Sequence, residues 1–177
     1  LKLTETGTLA STISMSGGVL DADESSTVSG ELSHTADITI DVADNKTLTY
    51  SGTAISLGAN TLTLSGGGTL VSGGLTLNNA DSKLLLNSIT VDSVSTSADS
   101  LGLDVDNNST ITALSVGYIT PVSVASGRSL SGAITVTAGS LKLTEAGTLA
   151  STISMSGGVL DADESLTLSG ALSQLGE

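Results

Sequence analysis

The chain has 177 residues, with 18 acids against five basic residues, one His, two Tyr, one Pro and neither Phe, Trp nor Cys. The net charge of −13 excludes a nucleic-acid partner, because phosphate contacts need clustered Lys and Arg, and it disfavours an anionic membrane surface. The missing cysteines exclude a disulfide framework, and no apolar run reaches the ~18 residues of a membrane span.

The first element met is a duplication. Leu1–Ser33 recurs at Leu141–Ser173, 140 residues on, with only four changes: Thr6 to Ala146, Ser26 to Leu166, Val28 to Leu168 and Glu31 to Ala171. A long period copied this closely marks an array of repeats. Residues 1–140 read as one long repeat unit and 141–177 as the start of the next, so the chain reads as a window from a longer tandem-repeat protein.

A shorter period runs inside the long one. Turn-like groups centred at Ala22, Ala43, Ala59, Ala80, Asp106, Ala125, Glu145 and Ala162 recur about every 20 residues, giving about seven coils per long unit. The widest interval, between Ala80 and Asp106, predicts a protruding loop near Ser95–Asp104. Strands predicted between the turns alternate with period two: Ile38–Val42, Leu62–Leu64, Leu75–Leu77, Ile89–Val91, Ile134–Val136 and Leu141–Leu143. One face of each is aliphatic and the other is Thr, Ser or Lys, and β-branched residues favour the pleated surface. Gly, Asn and Asp mark the corners. No stretch reads as a helix; Leu9–Ile13 is broken by Ser, Thr and the following Gly17-Gly18.

Short strands and corners repeating about every 20 residues predict an all-β chain, a parallel β-helix (β-solenoid) whose coils stack about 4.8 Å apart. The near absence of rings suits a narrow column of small aliphatics. The competing architecture is a string of β-sandwiches, which usually carry a core aromatic.

Segments such as Leu62-Thr63-Leu64-Ser65-Gly66-Gly67-Gly68-Thr69-Leu70-Val71-Ser72-Gly73-Gly74-Leu75-Thr76-Leu77 resemble the Gly-rich passenger repeats of bacterial autotransporters, and the coil length is similar to that of filamentous-haemagglutinin-type adhesins. The resemblance implies a right-handed parallel β-helix displayed outside the cell. It brings no catalytic motif.

Candidate sites are few. The acidic corners Asp21, Asp23 and Glu24, their copies Asp161, Asp163 and Glu164, and the pair Asp104 and Asp106 offer closely spaced oxygens of the kind Ca²⁺ takes. The competing reading is solvated Asx turns, since neither the GGxGxDxUx repeat nor EF-hand spacing occurs. No other cofactor is expected. Four Thr-x-Thr pairs, Thr47/Thr49, Thr61/Thr63, Thr110/Thr112 and Thr135/Thr137, suggest an ice-binding rank. Leu-Thr-Leu and Leu-Leu-Leu in other coils break it, so ordinary outward threonines are expected.

His34 has no Cys or second His beside it. There is no Gly-x-Ser-x-Gly elbow, and no GK[ST] follows Gly66-Gly67-Gly68. Pectate-lyase-like enzymes share the expected fold, but their chemistry calls for bases and aromatics scarce here, so no enzyme is expected. Asn45-Lys46-Thr47 and Asn108-Ser109-Thr110 match the glycosylation sequon. Tyr118 to Pro121 reads as a loop or strand edge interrupting the coil.

The expectation is a structural segment of an extracellular, cell-surface repeat protein, a stiff stalk or filament for adhesion, cell–cell contact or a surface layer. Its partners would be neighbouring copies of the same repeat, joined end to end by strand addition, and a surface receptor. The alternatives are a carbohydrate- or ice-binding solenoid module and tandem β-sandwich adhesin repeats.

Overall fold

A computed structural model describes residues 1–174. Among them every regular element is a strand and every pairing is parallel. A nine-stranded sheet runs Lys2–Leu3, Gly18–Ala22, Ile38–Val42, Thr61–Ser65, Lys83–Asn87, Gly102–Val105, Ile119–Val124, Ser140–Leu143 and Val159–Ala162, each strand bonded to the next in sequence order. A second sheet follows the same order from Gly7–Leu9 to Thr167–Leu168. One strand per coil in an order that never skips is the topology of a β-solenoid of about nine turns, roughly 40 Å long at the parallel-strand spacing.

The register sets the coil length. Asp21 lies over Lys2, 19 residues on, Asp41 over Asp21, and Ser65 over Asp41 after a long step of 24. The predicted strand Ile38–Val42 is observed with those bounds, and Leu62–Leu64 and Leu141–Leu143 lie inside longer strands.

The protruding loop expected near Ser95–Asp104 does not form. Residues 90–96 and 102–105 are strands, joined by a short turn. The inflated interval arose because Ala80 precedes a strand of the first sheet, Lys83–Asn87, whereas Asp106 follows one, Gly102–Val105. The two turns occupy different corners of the coil.

The cross-section changes along the rod. Early coils have three separate strands, as in Thr61–Ser65, Thr69–Ser72 and Leu75–Leu77. From Thr90–Thr96 to Thr148–Met155 the second and third sides merge into one long strand, as in Ser109–Val116 and Ser129–Val136, and the last described coil again has two, Thr167–Leu168 and Leu172–Gln174. In the coil Thr61–Leu77, Gly73-Gly74 turns that corner. In Ser109–Val116 the bend is absorbed by a bulge between Ile111 and Ala113 against Gly132.

Like stacks on like inside. Leu20, Ile40, Leu64, Leu86, Val105 and Val124 form one interior column. Ile55, Leu75, Val94, Leu114, Ile134 and Ile153 form another. All are buried. Small aliphatics in register fill the narrow lumen, and this burial is the main stabilising contribution.

Tyr118 and Pro121 do not interrupt the coil. Ile119–Val124 is a regular strand between two neighbours. Proline lacks the ladder donor. The ladder to the preceding coil begins just past it, at Leu103 and Val122, and a side chain at Gly102 would strike the Pro121 carbonyl.

Candidate functional site

Asp21, Asp104 and Asp161 lie on strands of the first sheet, and Asp23, Glu24, Asp106, Asp163 and Glu164 follow them in the turn that leaves it. Asn45 adopts φ 60° there and Gly127 φ 73° in the equivalent turn of a later coil, a left-handed position that Asn and Gly tolerate. Lys46 N donates to Ala43 O, and Arg128 N to Ala125 O, closing both turns alike.

These acids pair with lysines of adjacent coils. Lys2 Nζ lies 3.1 Å from Asp21 and 2.9 Å from Asp23. Lys46 lies 2.6 Å from Glu24, Lys83 2.6 Å from Asp104, and Lys142 2.9 Å from Asp163. The hydrogen bond to Asp23, then that to Asp21, raises the pKa of Lys2. The hydrogen bond to Asp163 does the same for Lys142. Asp161 lies beside Lys142 in the sheet register, and Asp106 stands exposed at its turn, its backbone amide bonded to Leu86 O.

Asp21 and Asp23 thus share Lys2, while Glu24, Asp104 and Asp163 each pair singly with a lysine, and Asp106 and Glu164 make no ion pair among the described residues. Among the described residues no three His, Cys, Asp or Glu side chains converge as a metal site. Ca²⁺ takes six to eight oxygens. His34 ends its strand with Nδ1 3.2 Å from Ala36 O. A broad open concavity at the mouth of the first coil is lined by Leu9, Ile13, Met15 and Val19; it is the apolar end of the column.

The four Thr-x-Thr pairs fall on different sides: Thr61/Thr63 on the first sheet, Thr47/Thr49 and Thr110/Thr112 on the second, and Thr135/Thr137 on the third side. They make no common rank. A different rank does form, and it is the feature sequence reasoning missed. Ser56, Thr76, Ser95, Ser115, Thr135, Ser154 and Ser173 lie in register on the third side, one outward hydroxyl per coil without a break.

Neighbours in the rank touch: Thr76 Oγ1 is 3.3 Å from Ser95 Oγ, and Ser154 Oγ 3.2 Å from Ser173 Oγ. The flanking outward column of Ser93, Ala113, Ala133 and Thr152 is uncharged as well. A second, shorter rank of Thr47, Thr69, Thr90, Thr110 and Ser131 lies on the second sheet. On a chain of net charge −13, these two columns of the third side present an uncharged strip with one hydroxyl per coil.

No helix among the described residues is long and apolar enough to cross a membrane. Compared with known protein families, curated proteins and solved structures, the chain matches none of them.

Proposed function

We propose that the chain is a length of a stiff extracellular rod, the stalk or filament of a bacterial surface repeat protein that serves adhesion, cell–cell contact or a surface layer. The observation that carries this reading is the uninterrupted parallel ladder of the nine-stranded sheet, wrapped around a continuous aliphatic column. A rod whose every coil is bonded to the next resists bending and holds a distal part away from the cell. Its length scales with the number of repeats. The high negative charge keeps neighbouring rods apart in solution.

The test is electron microscopy of chains carrying one, two and four copies of residues 1–140. The rod reading expects length to grow by roughly 34 Å per copy, seven coils at the strand spacing, at constant width. Beads on a string would refute it.

The hydroxyl rank favours a second reading, a binding face for a repeating hydroxylated surface such as crystalline polysaccharide or ice. It is checked by co-sedimentation with insoluble polysaccharide and by thermal hysteresis, with Ser95→Lys/Ser115→Lys as the comparison. Lysine side chains there stand clear of the interior and spoil a flat contact. Binding lost in that variant supports the second reading, and no binding by the parent chain removes it.

A further inference from the structure

The coil Gly18–His34 and the coil Ile38–Ser56 are joined on only two of their three sides. Val28 lies beside Tyr50 in register. Leu32 comes four residues after Val28, as Ile13 comes four after Leu9, and the strands of Ile13 and Leu32 pair. Ile55 comes five residues after Tyr50. A slip of one residue sets an inward side chain beside an outward one. The ladder from Leu32–His34 therefore stops, and Ile55–Ser56 pairs only with Leu75–Leu77. The first and second sheets run on through this break.

His34 stands at the break. It pairs with buried Met15, and alternation from buried Leu32 turns its ring inward. Nδ1 lies 3.2 Å from the Ala36 carbonyl, which can only accept, so the neutral ring carries its proton on Nδ1 and leaves Nε2 as a bare acceptor. Nε2 is buried and has no hydrogen-bond partner. A second proton would sit on Nε2 with nothing to receive it, and would enclose a charge beside the aliphatic column. Ile13–Met15 below and residues 53–57 across the break carry no ionisable side chain. The Tyr50 hydroxyl is taken by the Leu32 amide. On the segment of His34 itself, Glu31 and Asp37 are exposed, and Asp37 Oδ1 accepts the Thr61 amide at 2.7 Å. On the coil below, the Leu1 amine donates to Val19 O at 2.8 Å.

We infer that this break is an acid-sensitive joint in the rod, closed while His34 is neutral and opened when His34 takes up a proton. The two coils part on the third side and pivot on the ladders of the first and second sheets, and the imidazolium gains water. The open joint binds a proton that the closed one excludes. Closure is therefore fully favoured above about pH 6.5, where a free imidazole is neutral, and weakens as pH falls below it. The second copy of the duplicated segment carries Gln174 where the first carries His34, a side chain of similar reach that never charges.

The test is amide hydrogen exchange of the whole chain at about pH 7.5 and about pH 5, each read against the intrinsic exchange rate at that pH. Protection at 32–35 and 51–57 should fall by roughly tenfold to thirtyfold at the lower pH, the ratio that follows when only the open joint holds the charged imidazole. The pivot strand 38–42 and residues 83–136 should keep theirs. His34→Gln should make protection at the joint the same at both pH values. Unchanged protection in the parent, a loss that His34→Gln retains, or a loss spread evenly along the rod overturns the inference. A second readout needs no variant, since the chain has a single histidine. Its ring-proton resonance should titrate only in step with the loss of protection at 51–57. An imidazole that charges while those amides stay protected also overturns it.

Discussion

The hydroxyl of Tyr50 accepts a hydrogen bond from the Leu32 backbone amide at 3.2 Å, across a gap between two coils. The strand Leu32–His34 pairs only with Ile13–Met15, and Ile55–Ser56 pairs only with Leu75–Leu77, so the third-side ladder is interrupted there. Tyr50 is 3% exposed. Its ring fills the space and its hydroxyl satisfies an amide that a strand would otherwise bond. A side chain on Gly52 would collide with the ring.

Tyr50→Phe keeps the ring and leaves the Leu32 amide without its partner, at an expected cost of about 1–3 kcal/mol. Tyr50→Ala adds a cavity and costs about 3–5 kcal/mol. Urea unfolding midpoints of the three chains check the order, and equal stability of Phe and Tyr at this position would show that the hydroxyl bond contributes nothing.

Interior and end leucines should separate sharply. Leu86 is fully buried in its column, so Leu86→Ala should cost about 2–5 kcal/mol. Leu172 is 56% exposed, so Leu172→Ala should change stability by about 0.5 kcal/mol or less. Denaturant titration of both variants is the check.

Gly132 sits at φ 124° opposite the bulge, and a Cβ there would meet the Ile111 carbonyl oxygen. Gly132→Ala should therefore destabilise by more than the ~1 kcal/mol typical of a point change. Faster hydrogen exchange in 109–116 and 148–155 is expected with it, because both flanking strands bond to this one.

The inter-coil ion pairs are surface features. Lys83→Met, which removes the pair with Asp104, should shift stability by about 1 kcal/mol or less. Lys2 and Lys142 have pKa values raised above the ordinary 10.5 by their aspartates. A raised folded-state pKa gives stabilisation that is complete below the unfolded value and lost as pH rises through the folded one. Their contribution should thus be constant from neutral pH to about 10 and fade only above 10.5, more weakly in high salt. Unfolding midpoints against pH for the parent and Lys2→Met chains check this; a decline below pH 10 that Lys2→Met removes would contradict it.

Strands, corners and coil length were legible because alternation and turn chemistry are local. Ile38–Val42 reads directly as a strand, and Asn45 directly as a corner. What was not legible depends on register between coils. Whether Ser56 aligns with Thr76 or with a neighbour is decided by the Gly73-Gly74 corner, and no property of either hydroxyl announces it.

The same uncertainty of phase put the expected loop near Ser95–Asp104, since two corners of different kinds were aligned as one. The role of Tyr50 is not legible in the sequence, because a strand-end tyrosine beside Ser51-Gly52 carries no local mark of the missing ladder beneath it. The acids were found from sequence. Their lysine partners were not, because each sits about 20 residues away on the next coil.

The strands run across the rod, one coil above another. X-ray diffraction from an oriented film of the chain tests that most directly. A sharp reflection near 4.8 Å along the rod axis is the predicted result. Its absence from that axis, with the strand spacing appearing only across it, would contradict the solenoid and the structural role drawn from it.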